Sequence, residues 1–143
     1  MIASPPLIET ASCLCWAARR SARAITRRFD HALRPYGLRA TQFSLLALLE
    51  LKGAQSMTEL ADSVGADRTT LTRNLALMEA QGLVEIQPGE DARARLVAIA
   101  RAGKRALTEA FETWRATQDE ITRRIGGPAA DSLRQTARAL RAA

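Results

Sequence analysis

The chain has 143 residues, 21 Lys+Arg against 15 Asp+Glu and a formal net charge of +6. That length suits one domain, and 47% hydrophobic residues suffice for a packed core, which excludes disorder throughout. The basic balance points to a polyanionic partner. No apolar run approaches the roughly 18 residues of a membrane span. The opening MIASPPLIETASCLCW lacks the basic start and long apolar stretch of a secretory signal. The expectation is a cytoplasmic protein with no membrane partner, in which Cys13 and Cys15 are reduced thiols.

In chain order, the spacing predicts six helices and one hairpin in a single unit spanning 1–143, a mostly α fold. The first helix is expected from Pro6 to Leu33, with Leu7, Ala11, Leu14, Ala18, Ala22, Ile25 and Phe29 forming an apolar stripe. Pro35 and Gly37 end it. The second, from Thr41 to about Leu51, is apolar almost all round (Phe43, Leu45, Leu46, Leu48, Leu49) and belongs in the middle of the domain. After Gly53, Ser56 and Glu59 match a capping box. Leu60, Ala61 and Val64 are expected to face inward, and Gly65 permits a left-handed exit.

Two residues on, Asp67 can cap the next helix. A short helix, a tight glycine turn and a second helix form a helix-turn-helix pattern. The alternation of Val84 and Ile86, then Leu96, Val97 and Ile99, predicts a two-stranded hairpin with a long loop. Leu107, Ala110, Phe111, Trp114, Ile121 and Ile125 mark a long helix. Gly126-Gly127-Pro128 interrupts it, and Leu133, Ala137 and Leu140 mark a final short one.

The helix after Asp67 begins RTTLTR, an odd start because β-branched threonines are weak helix formers. On a wheel of ~100° per residue, Leu71, Leu75 and Met78 form the buried stripe. Thr69 and Arg73 point the opposite way, Thr70 and Thr72 flank them, and Arg68 lies near the stripe's edge. The N-terminal half of such a helix enters the major groove in helix-turn-helix proteins. Threonine brings a hydroxyl for base edges or phosphate and a methyl for thymine, and arginine brings the fork that matches guanine. A solvated helix face rich in capping residues is the bland alternative. The hairpin tilts the balance, because Arg93 and Arg95 give it a cationic tip suited to a minor groove. Helix-turn-helix plus basic hairpin is the winged-helix arrangement.

Residues 41 to 107 resemble the MarR family of bacterial transcriptional regulators. The resemblance is carried by TQFSLL, LTRNLALMEAQGLV, the Asp91-Ala92-Arg93 wing motif and ARAGKRAL, in that order and spacing. It implies a winged helix DNA-binding lobe over 38–100 and a helical dimerisation lobe from 6–35 and 101–143. It implies an obligate homodimer on a pseudo-palindromic operator, usually a repressor, released by a small-molecule effector. Arg68, Thr69, Thr70, Thr72, Arg73, Arg93 and Arg95 are then the DNA contacts, with Asp91 orienting the wing arginines. The dimer also has a physical argument, since apolar helices at both termini exceed what one small lobe can cover.

The resemblance further implies an aromatic or phenolic ligand in a cleft reached by Trp16, Phe43, Phe111 and Trp114. The same aromatics equally suit a core. Cys15 falls where the organic-hydroperoxide-sensing branch of the family carries its reactive cysteine. That branch supports its thiolate with tyrosines, and the matching positions here are Phe29 and Ala40, which have no hydroxyl. Thiol-based sensing through Cys15, and a winged helix used for protein interaction without DNA, are the alternatives left open. His31 is expected on the surface. No catalytic motif, cofactor signature or metal-ligand spacing is legible, so an enzyme is not expected.

Overall fold

The computed structural model describes residues 5–89 and 94–141. The chain opens with a short helix α1 (Pro5–Ile8), a 3-10 turn (Glu9–Ser12), and the long helix α2 (Leu14–Leu33). The expected unbroken helix from Pro6 to Leu33 is therefore interrupted. The Thr10 hydroxyl donates to the Leu7 carbonyl and the Ser12 hydroxyl to the Glu9 carbonyl, offering the backbone a local alternative to the helical ladder. Cys13 then turns extended, with ψ 121.

Helix α3 (Ala40–Lys52) buries Gln42, Phe43, Leu45, Leu46 and Leu49, and lies in the middle of the molecule as its composition requires. Its first amide is satisfied from outside the helix, since Asp30 Oδ1 on α2 accepts from Ala40 N at 2.8 Å. The capping box opens α4 (Met57–Val64): Glu59 N donates to Ser56 Oγ at 3.1 Å, and Ser56 N to Glu59 Oε2 at 2.9 Å. Leu60 is buried and Ala61 half-buried, but Val64 is 36% exposed rather than inward-facing. Gly65, with φ 68, makes the left-handed exit to α5 (Arg68–Ala80).

The wing comprises β2 (Val84–Gln87) and β3 (Leu96–Ile99), with Val84 opposite Ile99 and Gln87 opposite Leu96. A third strand not expected from sequence, β1 (Gln55–Ser56), pairs antiparallel with β3 and makes the order β1-β3-β2. The long α6 (Arg101–Ile125) and α7 (Gly127–Ala139) complete the chain.

The core gathers Leu33, Leu45, Leu46, Leu49, Leu60, Leu75, Met78, Val84 and Val97, all essentially without solvent contact. Gly103 on α6 is buried where the wing meets that helix. Any Cβ there would collide with the Leu83 carbonyl oxygen and sit 3.0 Å from Leu46 Cδ2. The same Leu83 oxygen accepts from Ala100 N at 3.0 Å. No described helix is long and apolar enough to cross a membrane.

Candidate nucleic-acid interface

Helix α5 is anchored at both ends. At its start, Asp67 Oδ1 accepts from Thr70 N at 2.8 Å and Asp67 Oδ2 from the Thr70 hydroxyl at 2.9 Å. Those two bonds, the amide's foremost, hold the Asp67 carboxyl below its usual range. Towards its end, Glu79 Oε2 accepts from Ile86 N on β2 at 3.1 Å, which ties the helix to the wing. Leu71, Leu75 and Met78 turn into the core. Arg68, Thr69, Thr70, Thr72 and Arg73 are all exposed.

Each predicted α5 contact therefore stands on the solvent side, though not all are equally free. The Thr70 hydroxyl is already engaged by Asp67, and Thr70 lines a small cavity of about 250 Å³ between α2, α3, α4 and α5. Thr69, Thr72 and Arg73 form the open face. Arg95 is exposed at the root of β3. Asp91 and Arg93 lie outside the described residues. Among the described residues, no carboxylate lies within ion-pair distance of Arg68, Arg73 or Arg95, and a guanidinium is the group that suits phosphate or base edges.

Sequence reading missed the engagement of the Thr70 hydroxyl, although an aspartate three residues before a threonine is a visible signal. It also missed Phe29 as an aromatic partner. Trp114 stacks against Phe43 at 5.5 Å, Phe111 at 5.8 Å and Phe29 at 6.5 Å, which brings together three of the four expected cleft aromatics. Phe43 is buried in the core, while Phe111 stays partly exposed with the Arg115 guanidinium 5.0 Å from its ring centre.

Trp16 takes no part in that stack. It lies exposed in an open groove with Cys13, Cys15, Arg19, Arg20 and Arg23. Both cysteines are exposed free thiols. His31 is on the surface, as expected. The described residues hold no cluster of histidine, cysteine or carboxylate suited to a metal ion.

A capped helix-turn-helix with an exposed cationic face and a three-stranded wing defines a winged-helix DNA-binding protein. The model of the MarR family matches residues 36–94. An uncharacterized HTH-type transcriptional regulator of Bacillus subtilis (strain 168), YwoH, is 30% identical over 90 residues, which span 63% of this chain and 66% of that protein. The transcriptional regulator MosR of M. tuberculosis, solved in complex with DNA, is 41% identical with a TM-score of 0.76, covering 91% of this chain and 99% of that one. The transcriptional repressor CouR, bound to a 23-mer DNA duplex, is 25% identical with a TM-score of 0.76, covering 92% and 94%. The chain belongs to the MarR family and is a DNA-binding transcriptional regulator, not an enzyme.

Proposed function

We propose that the protein is a cytoplasmic repressor that grips a pseudo-palindromic operator as a homodimer and releases it when a small-molecule effector binds. The observation that carries this reading is the open face of α5. There Thr69, Thr72 and Arg73 stand opposite buried Leu71, Leu75 and Met78, and no carboxylate among the described residues pairs with Arg73. Residues 38–100 form the DNA lobe in this reading, and Arg68, Thr69, Thr70, Thr72, Arg73, Arg93 and Arg95 supply its contacts. Arg73 reads a base edge, and the wing arginines enter the minor groove. Repression is supported by CouR, a repressor of the same fold.

Dimerisation through 6–35 and 101–143 is supported by apolar side chains left open on the single chain. Leu14 is 84% exposed, and Leu133 and Ile125 border a groove with Ile25 and Ile121. A twofold pairing of these helices covers that surface and sets two α5 helices on successive half-sites. The effector is an aromatic or phenolic anion that packs on the exposed part of Phe111, with Arg115, which also lies 3.8 Å from Glu112, as its counter-charge.

The test is a fluorescence-anisotropy titration of genomic duplexes over a series of salt concentrations, with light scattering to count protomers. Binding should weaken steeply as salt rises, because neutralised phosphates release counterions. Arg73→Ala should lose about 1–3 kcal/mol on the preferred duplex and relax its base preference. An equal loss on every duplex instead makes Arg73 a phosphate contact, and no binding to any fragment removes the proposal.

A further inference from the structure

Asp67 caps α5, and the manner of capping implies a second role. Its carboxylate is shared between two donors on one residue, Oδ1 with the Thr70 amide at 2.8 Å and Oδ2 with the Thr70 hydroxyl at 2.9 Å. Both oxygens are held, so the charge is fixed at the leading end of the helix instead of swinging on a free side chain. The group is exposed and, like any aspartate, ionised at neutral pH, and the hydrogen bonds lower its carboxyl further. Arg68 and Thr69 follow it directly in the chain, and Thr72 and Arg73 lie on the next turn of the same helix. The next carboxylate on α5 is Glu79, which is turned to the wing strand at the far end.

A neutral cap serves a helix as well as aspartate does, since serine and asparagine rank with it. The chain itself uses Ser56 for α4. In the free protein the negative charge also suits the helix dipole. With α5 in a major groove as proposed, that same end would lie close to the phosphates that line it. A fixed anion there opposes every sequence-independent contact the neighbouring arginines make.

We infer that Asp67 is a specificity-determining residue, which penalises binding wherever α5 rests on DNA without a matching base. Repulsion from the phosphates is the same on any duplex. Compensation comes only where a base presents an amino group, and in the major groove those donors are cytosine N4 and adenine N6. Each carboxylate oxygen spends one lone pair on Thr70 and keeps another for such a contact. Discrimination then grows from a repulsive element as much as from an attractive one. The inference rests on α5 being the helix that enters the groove. It also redefines Thr70, whose hydroxyl hydrogen is committed, so this residue meets DNA through its methyl group or as an acceptor.

The experiment uses the full chain and two substitutions, Asp67→Asn and Asp67→Ser, which keep a capping oxygen and remove the charge. Anisotropy titrations compare a mixed-sequence duplex with the tightest duplex recovered by selection from a random library. Both variants should hold the mixed-sequence duplex about three- to fivefold more tightly at low salt, the scale of one nearby charge in water. The ratio of selected to mixed affinity should fall, the melting midpoint should stay, and the gain should fade as salt screens the charge.

Unchanged or weaker mixed-sequence binding in both variants makes Asp67 a cap and nothing more. Weaker binding that tracks a lowered midpoint in both overturns the role in the same way. Arg73→Ala separates the placement of α5 from the role of Asp67. If it leaves both duplexes bound as in the wild type, the placement of α5 fails, whereas Asp67 fails only by its own ratio.

Discussion

Helices α3 and α7 have the same length of 13 residues, yet α3 buries five side chains and α7 buries only Ala130. The first is held from all sides by α2, α4, β3 and α6. The second leans on α6 and leaves Leu133 and Leu140 facing solvent, the latter 80% exposed. Isolated helices of this length are marginal in water, and most helical stability in proteins comes from packing an apolar face. The core thus gathers around α3 with contributions from α2 (Leu33) and α6 (Ala110), while α7 leaves most of its apolar side chains open. In the proposed dimer, stability and assembly are then separable, and substitutions should affect one without the other.

The largest effect is expected at the centre of the winged lobe. Leu75 has no solvent contact, so Leu75→Ala should lower unfolding stability by about 2–5 kcal/mol in urea denaturation. A loss below that range would mean that the lobe's core is looser than its burial implies. Leu133→Asp targets the other region, where the side chain is 44% exposed at the edge of the groove with Ile25 and Ile121 and an added charge can still reach water in the single protomer. It should shift the mass by light scattering to one protomer and abolish tight operator binding, while helical content in circular dichroism stays near the wild type. Persistence of the dimer would move the interface elsewhere.

The smallest effect concerns Asp67, whose carboxyl is held below its usual range chiefly by the Thr70 amide. A lowered folded-state value means its contribution to stability is present above the ordinary carboxylate range and is lost as pH falls through the lowered one. The Thr70 amide resonance should titrate in that acid window, and Asp67→Asn should remove the transition.

What was legible in the sequence was local. Ser56 with Glu59, Gly65, and Asp67 as a cap each declare a helix end through neighbours in the chain. Their bonds form as the spacing predicts. The buried stripe of α5 and the alternation in β2 follow from periodicity alone. What was not legible depends on partners far along the chain. Gln55 and Ser56 carry no strand pattern and become β1 only because Val97 and Leu96 stand opposite. The amide of Ala40 is satisfied by Asp30 across a turn. The break at Cys13 came from two hydroxyls competing with the helix, which an apolar stripe does not reveal. The site was legible in the same local way: spacing placed the α5 face on the solvent side, and the Asp67–Thr70 spacing also carried the signal, which sequence reading missed, that the Thr70 hydroxyl is spent.

The contact at Gly103 joins the two regions. Because no side chain intervenes there, the first turn of α6 touches the Leu83 carbonyl directly, and Ala100 bonds to the same oxygen. The start of the hairpin and the longest helix thus meet backbone to backbone, flanked by Ile99 and Leu46. A tilt of α6 at this point bears directly on Leu83, the residue that leads into β2, and the absence of one methyl group is what lets the two backbones meet.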